Sequence, residues 1–183
     1  MFMLWAIPVG LVVGLLVGGR LEGLSGFRFR WAALAIGGLL VQLVLFTPTG
    51  DQLAGILAPA IYVASTFAVF AAVLRNVRVP GMAVVALGSL SNLAAITANG
   101  GAMPADPAAL AAAGLDGAGS HTNSVVVPDP ALRLLTDTFA IPAGVPLANV
   151  FSIGDVLIGV GIVVVIAAAM RRAPGPSEPS AAR

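Results

Sequence analysis

Cysteine and lysine are both absent from this chain, and it has one histidine and one tyrosine. Without cysteine there is no disulfide, thiolate metal site, cysteine nucleophile or cysteine-linked lipid anchor. Without lysine there is no side-chain amine chemistry, and every strong base is an arginine. The lone His121 has no cysteine or second histidine with which to share a metal ion, so neither a metal nor a cofactor is expected. Charge is scarce as well. Only 9% of residues are charged, against about 25% in a soluble domain. A formal net charge of +1 argues against a nucleic-acid partner, which needs cations clustered on one face.

What fills the chain is apolar: 58% hydrophobic residues and a mean hydropathy of +1.01. Surface of that kind has to face lipid, so the bilayer is the first expected partner. Five apolar runs, 2–19, 31–48, 53–74, 80–98 and 150–170, predict an all-α membrane bundle of five transmembrane helices. Residues 1–172 are expected to form one domain, and the Pro/Ser/Ala-rich 173–183 a disordered cytoplasmic tail. The first run is expected to be a retained helix rather than a cleavable signal, because its charges, Arg20 and Glu22, follow the apolar stretch. Phe27-Arg28-Phe29-Arg30-Trp31 interleaves cations with aromatics, as headgroup-level segments do. Thr47 to Asp51 reads as a tight turn, and Pro80 as a first-turn proline opening the fourth helix.

If five helices alternate, Arg20, Arg28, Arg30, Arg75, Arg78, Arg171 and Arg172 share one side, and Arg133 lies on the other. The positive-inside rule then makes the arginine side cytoplasmic, with the N-terminus outside and the C-terminus inside. An Ala-, Gly- and Arg-rich composition suits a GC-rich bacterial genome, so the expected location is the bacterial cytoplasmic membrane, multi-pass. Segment 99–149, rich in Pro and Gly, becomes an outer lid. In it Asp106-Pro107 and Asp129-Pro130 each pair an N-cap with a first-turn proline. Two short helices are therefore predicted, one ending near Gly114 and one running to about Phe139 with Leu132, Leu135 and Phe139 in a stripe. Residues 117–124 read as a flexible connector around His121, and 141–146 as extended.

Few polar side chains interrupt the helices. At about 1.5 Å per residue, Gln42, Tyr62, Asn92 and Asp155 all fall in the outer halves. A polar group in hydrocarbon needs a partner, so these four are expected to face one another in a pocket beneath the lid, open to the outside. Alternatively, Gln42 and Asn92 are helix–helix glue. Ser152-Ile153-Gly154-Asp155 also fits a capping box, with the helix proper over 153–170. Asn99-Gly100-Gly101 reads either as a place for close ligand approach or as the C-cap of the fourth helix.

Asn99-Gly100-Gly101-Ala102-Met103-Pro104 and Ser152-Ile153-Gly154-Asp155, with Gly18-Gly19-Arg20-Leu21 and Gln42, are the residues through which the chain resembles a bacterial membrane family, domain of unknown function 5317. That resemblance covers about residues 1–170. It implies a small multi-pass protein and supplies no activity. Phe151 to Gly161 is also similar to the last motif of lipoprotein signal peptidases, Phe-Asn-x-Ala-Asp-x-x-Ile-x-x-Gly. That likeness implies Asp155 as one of two catalytic aspartates, with Asp137 or Asp129 as the other. The family's Asn-x-x-Asp-Arg motif is missing.

The ligand-pocket candidates are thus Gln42, Asn92, Asn99, Gly100, Gly101, Met103, Pro104, Ser152 and Asp155. The expected function is that of an integral membrane protein holding a small or lipidic ligand, or a partner membrane protein, at that pocket. The alternatives are an aspartate-dependent peptidase using Asp155 and Asp137, and a structural subunit of a membrane complex.

Overall fold

In the computed structural model, residues 2–115 and 124–172 are described. The expectations for His121, for most of the 117–124 connector and for the 173–183 tail lie outside them. The described chain is mostly helical. A 3-10 turn, Phe2–Trp5, leads into α1 (Ala6–Leu16); α2 spans Ala32–Leu45, α3 Pro48–Ala54, α4 Ala58–Arg75 and α5 Met82–Ala98. In the long connection that follows lie β1 (Met103–Pro104), α6 (Pro107–Ala112), β2 (Ser124–Val125), β3 (Phe139–Ile141) and β4 (Asn149–Phe151). The last helix is α7, Ile153–Met170. Two helices are long and apolar enough to cross a membrane: Pro48–Arg75, in which α3 and α4 run on through a 3-10 turn, and Ile153–Met170. The apolar helices Phe2–Leu16, Ala32–Leu45 and Met82–Ala98 are shorter.

Neighbouring helices meet in the order α2, α4, α5, α7, α1. Small residues set the closest approach. A Cβ on Gly88 would strike the Gly154 carbonyl, and one on Gly81 would strike the Gly161 carbonyl, so α5 and α7 run antiparallel and meet backbone to backbone at these points. A Cβ on Gly10 would meet Ile166 and one on Gly14 would meet Met170, so α1 runs parallel to α7. Apolar clusters fill the opposite ends of the α4–α5 pair. Leu45, Tyr62, Ala95, Ile96 and Met103 form one, and Val73, Met82, Val85, Ala86 and Val165 the other. The outer flanks stay apolar: Val12, Leu16, Leu39, Leu43, Ile56, Phe67, Leu87 and Val160 are all exposed.

The arginine segments gather at one end. The Arg20 N–H donates to the Met170 carbonyl at 2.8 Å, and the Arg30 N–H to Asn76 Oδ1 at 2.8 Å. The long connection packs at the opposite end. Its β1 pairs with β2 in parallel, Ala105 bridges to Asp137, and β3 pairs antiparallel with β4, Phe139 opposite Phe151. Phe151 also stacks on Phe2 and Phe139, at centroid distances of 4.4 and 5.5 Å.

Several expectations need correction. The second short helix of the lid does not form. Asn99 takes both backbone groups of Ala131, accepting from its N–H at 2.9 Å and donating to its carbonyl at 2.9 Å. Leu132 then turns left-handed (φ 52°), leaving a three-residue 3-10 turn, Arg133–Leu135. The stripe disperses: Leu135 packs on the Tyr62 cluster, Leu132 is exposed and Phe139 joins the aromatic stack. Thr47 to Asp51 is not a tight turn, because the Thr47 hydroxyl caps α3 by accepting from the Gly50 N–H at 3.0 Å. Pro80 lies before α5, which opens after a left-handed Gly81. Of 141–146, only Ile141 is in a strand; the rest is the turn between β3 and β4. The first lid helix forms as expected, with Asp106 accepting from the Ala108 N–H at 2.8 Å and Gly114 left-handed just beyond it.

Candidate functional site

The most connected group of polar side chains sits where α7 begins. β4 delivers the chain to Ser152, which caps the helix: its Oγ accepts from the Asp155 N–H at 3.1 Å, and Asp155 Oδ2 accepts from the Ser152 N–H at 3.1 Å. This is the capping box expected from the sequence. It has a third member. From α5, Asn92 Nδ2 donates to Asp155 Oδ1 at 2.7 Å, and Asn92 Oδ1 accepts from Ser152 Oγ at 2.9 Å. Both carboxylate oxygens are thus held, and Ser152 is wholly buried. The Asn92 amide oxygen lies where a Cβ on residue 154 would be, so this contact requires Gly154.

A second aspartate, Asp137, lies in the lid, near enough for the charge of Asp155 to act on it. Its backbone is stitched to the strand that carries β1, donating to the Pro104 carbonyl at 2.9 Å and accepting from the Asp106 N–H at 2.9 Å. Asp137 stands two residues before β3, whose partner β4 leads directly into α7. Its carboxyl is buried and accepts from Ser124 Oγ at 2.6 Å. Burial, helped by the charge of Asp155 and opposed by the Ser124 hydrogen bond, pushes Asp137 from 3.8 up to about 7. A carboxyl raised to near neutrality within range of a second carboxyl's charge is the kind of pair from which acid–base chemistry can be built.

The other sequence candidates do not join this group. Gln42 donates from Nε2 to Thr66 Oγ1 at 3.2 Å, and Thr66 donates to the Tyr62 carbonyl at 2.8 Å, so Gln42 fastens α2 to α4. Tyr62 is buried edge-on against Phe46 in the same helix pair. One pocket shared by Gln42, Tyr62, Asn92 and Asp155 is therefore not formed, because α4 and α5 stand between α2 and α7 in the row. Asn99 clamps the lid, and Gly100 and Gly101 (φ 70° and 88°) end α5 as a C-cap, the Gly101 N–H donating to the Ile96 carbonyl at 2.9 Å. Met103 and Pro104 are buried, Met103 plugging the Tyr62 cluster. Gly100 and Gly101 also line a groove of about 760 Å³ between α4 and α5, with Pro59, Val63, Phe67 and Leu93. Asp129 lines a separate cleft of about 180 Å³ in the lid, with Asp106, Arg133 and Thr138. Among the described residues no group of three or more His, Cys, Asp or Glu is placed to hold a metal.

Ser124 was not singled out from the sequence, since a serine beside a connector carries no local signal. Nor was Asn76, which is buried and holds Arg30, although its place right after α4, between Arg75 and Arg78, marks it as a helix-end residue.

Residues 26–167 match the family of unknown function DUF5317. The chain belongs to that family. The match takes in Gln42, the Asn99–Pro104 motif, Asp137 and the Ser152–Asp155 cap, and leaves out Gly18 to Leu21, which the sequence likeness had included. Both motifs that marked the DUF5317 resemblance are thus accounted for in the fold, one as a helix end that fastens the lid and one as the capping box. No curated protein and no solved structure matches the chain. The likeness to lipoprotein signal peptidases, in Phe151 to Gly161 and in Asn99-Gly100-Gly101-Ala102, is not shown by these comparisons.

Proposed function

We propose that this DUF5317 protein is a five-span integral membrane protein of the bacterial cytoplasmic membrane, N-terminus outside and C-terminus inside. On this reading residues 1–172 form one membrane domain, and the Asn92–Ser152–Asp155–Asp137 group is an outward-facing site for a small polar or lipidic ligand. One observation carries the reading: seven arginines border one end of the helix row, while the carboxylate site and the lid occupy the other. Antiparallel α5 and α7, and parallel α1 and α7, agree with five alternating spans. α2 has 14 helical residues. That is about 21 Å at 1.5 Å per residue, short of a bilayer core of about 30 Å, so Trp31 and Phe46 must extend it into the interface or the bilayer must thin.

The absence of native cysteine makes the test direct. Single cysteines at Ala111, in the lid, and Ser25, at the arginine end, are made in intact cells. Ala111→Cys should react with an impermeant thiol reagent from outside, and Ser25→Cys only after lysis. The opposite pattern, or a chain released from membranes by alkaline carbonate, would sink the reading.

A second reading is favoured by the raised Asp137 beside Asp155: hydrolysis of a peptide at the membrane surface, one carboxyl as base for water and the other as acid. Asp137→Asn and Asp155→Asn should then each abolish processing of extracytoplasmic membrane-anchored peptides at unchanged protein level. For a ligand site, Asp155→Asn should be partly tolerated and Asn92→Leu should not.

A further inference from the structure

We propose that the arginine-rich end of the helix row is a built surface for the phosphate of anionic phospholipid headgroups, gripped between the segment around Arg28 and Arg30 and the helix end around Arg75 and Arg78. The proposal rests on the membrane reading above and adds a partner to it. The segment is extended and alternates. Phe27 and Phe29 pack on the cluster of Val73, Met82 and Val85, while Arg28 and Arg30 are exposed. Asn76, buried after the last turn of α4, locks it in place. Its Oδ1 accepts from the Arg30 N–H at 2.8 Å, and its Nδ2 donates to the Arg30 carbonyl at 2.8 Å and to the Ala72 carbonyl at 2.7 Å. Two exposed guanidinium groups are thereby brought to the turn that carries Arg75 and Arg78, also exposed.

Counter-charge is lacking. Of the seven arginines at this end, only Arg20 has a carboxylate within ion-pair distance among the described residues, Glu22 at 3.5 Å. Guanidinium groups take phosphate oxygens in paired hydrogen bonds, and basic residues beside a membrane helix attract anionic lipid. Trp31, exposed next to Arg30, fits the same headgroup level. The positive-inside rule asks only for positive charge on this side. It does not ask for a buried asparagine holding that charge in one place.

The test uses the full chain in mild detergent, with native mass spectrometry against phosphatidylglycerol, phosphatidylcholine and inorganic phosphate. Phosphatidylglycerol should stay bound, and the other two should not. The variant R28Q/R30Q/R75Q/R78Q should weaken that retention by about tenfold or more, and R133Q, at the other end, should leave it unchanged. Asn76→Ala, which keeps every charge, should also weaken it. If Asn76→Ala does not fold, the surface arginine variant decides alone. Equal retention of phosphatidylcholine, inorganic phosphate bound as tightly as the lipid, or an arginine variant that binds like wild type would each overturn the proposal. Single-cysteine chains that insert with the expected labelling, while the arginine variant keeps its lipid, overturn this surface alone. Failure of insertion overturns the membrane reading as well.

Discussion

Replacing Asp137 by asparagine should make the protein more stable above neutral pH and remove much of its pH dependence. The Asp137 carboxyl is pushed from 3.8 up to about 7, chiefly by burial and further by the charge of Asp155. A carboxyl whose folded pKa lies above its unfolded one binds its proton more tightly in the folded chain, so acid favours the fold. That advantage is complete below pH 3.8 and is lost as pH rises through about 7. At about 1.4 kcal/mol per pH unit, the difference is worth at most about 4 kcal/mol. For a chain of this length that is about 10 °C in melting temperature. The substituted side chain would keep the hydrogen bond from Ser124, its amide oxygen replacing the carboxylate oxygen, and would never have to ionise in the interior. Thermal unfolding in detergent, followed by the fluorescence of Trp5 and Trp31 between pH 4 and 9, measures the effect. The wild-type melting temperature should fall across pH 4–8, and the variant's should stay nearly flat and lie higher at pH 8. A variant that keeps the wild-type slope, or melts lower at pH 8, would refute the view that burying this carboxyl opposes its ionisation.

Gly154→Ala should be severe for one added methyl, because its Cβ would occupy the place of the Asn92 amide oxygen. A loss of about 1–3 kcal/mol from overpacking, read as a lower melting temperature, is expected, and Gly26→Ala, with nothing near its Cβ, is the control. Asn99→Ala should free the lid rather than unfold the helices, since it removes two hydrogen bonds to Ala131. Limited proteolysis should then cut near residues 128–134 at least several-fold faster, with helical circular dichroism unchanged.

The elements legible in the sequence were those whose signal is local. The capping box needs only Ser152 and Asp155 three residues apart, and α7 starts where it says. The Asp106-Pro107 start and the Gly114 stop of α6 are likewise written within a few residues. The same reasoning failed at Asp129-Pro130, which carries the same local signal, because a distant side chain, Asn99, takes the backbone groups that a helix there would need. Strands of two or three residues, such as β1 and β2, are too short to show a period of two, so the bridge that fixes Asp137 against Ala105 was invisible. Membrane depth put Gln42 and Asn92 at similar levels, but depth does not say which neighbour a side chain faces. The order of the helices does, and that order is set by packing between segments far apart in the chain.

The glycines explain why the polar group forms at this helix pair and not elsewhere. Gly81, which caps α5, and Gly88 within it stand seven residues apart, as do Gly154 and Gly161 on α7, and each meets its counterpart backbone to backbone. On α7 seven residues are two helical turns, so its two glycines lie on one face and meet the start and the middle of α5. Interfaces of this kind let helix axes approach closely. At that separation the short side chain of Asn92 reaches both Ser152 and Asp155, at 2.9 and 2.7 Å. Between α2 and α4, Gln42 reaches only the Thr66 hydroxyl, at 3.2 Å. The carboxylate site is therefore a consequence of how tightly α5 and α7 pack. Anything that slides or spreads this helix pair must also break the bonds from Asn92 to Asp155 and Ser152, and leave the capping box to hold Asp155 alone.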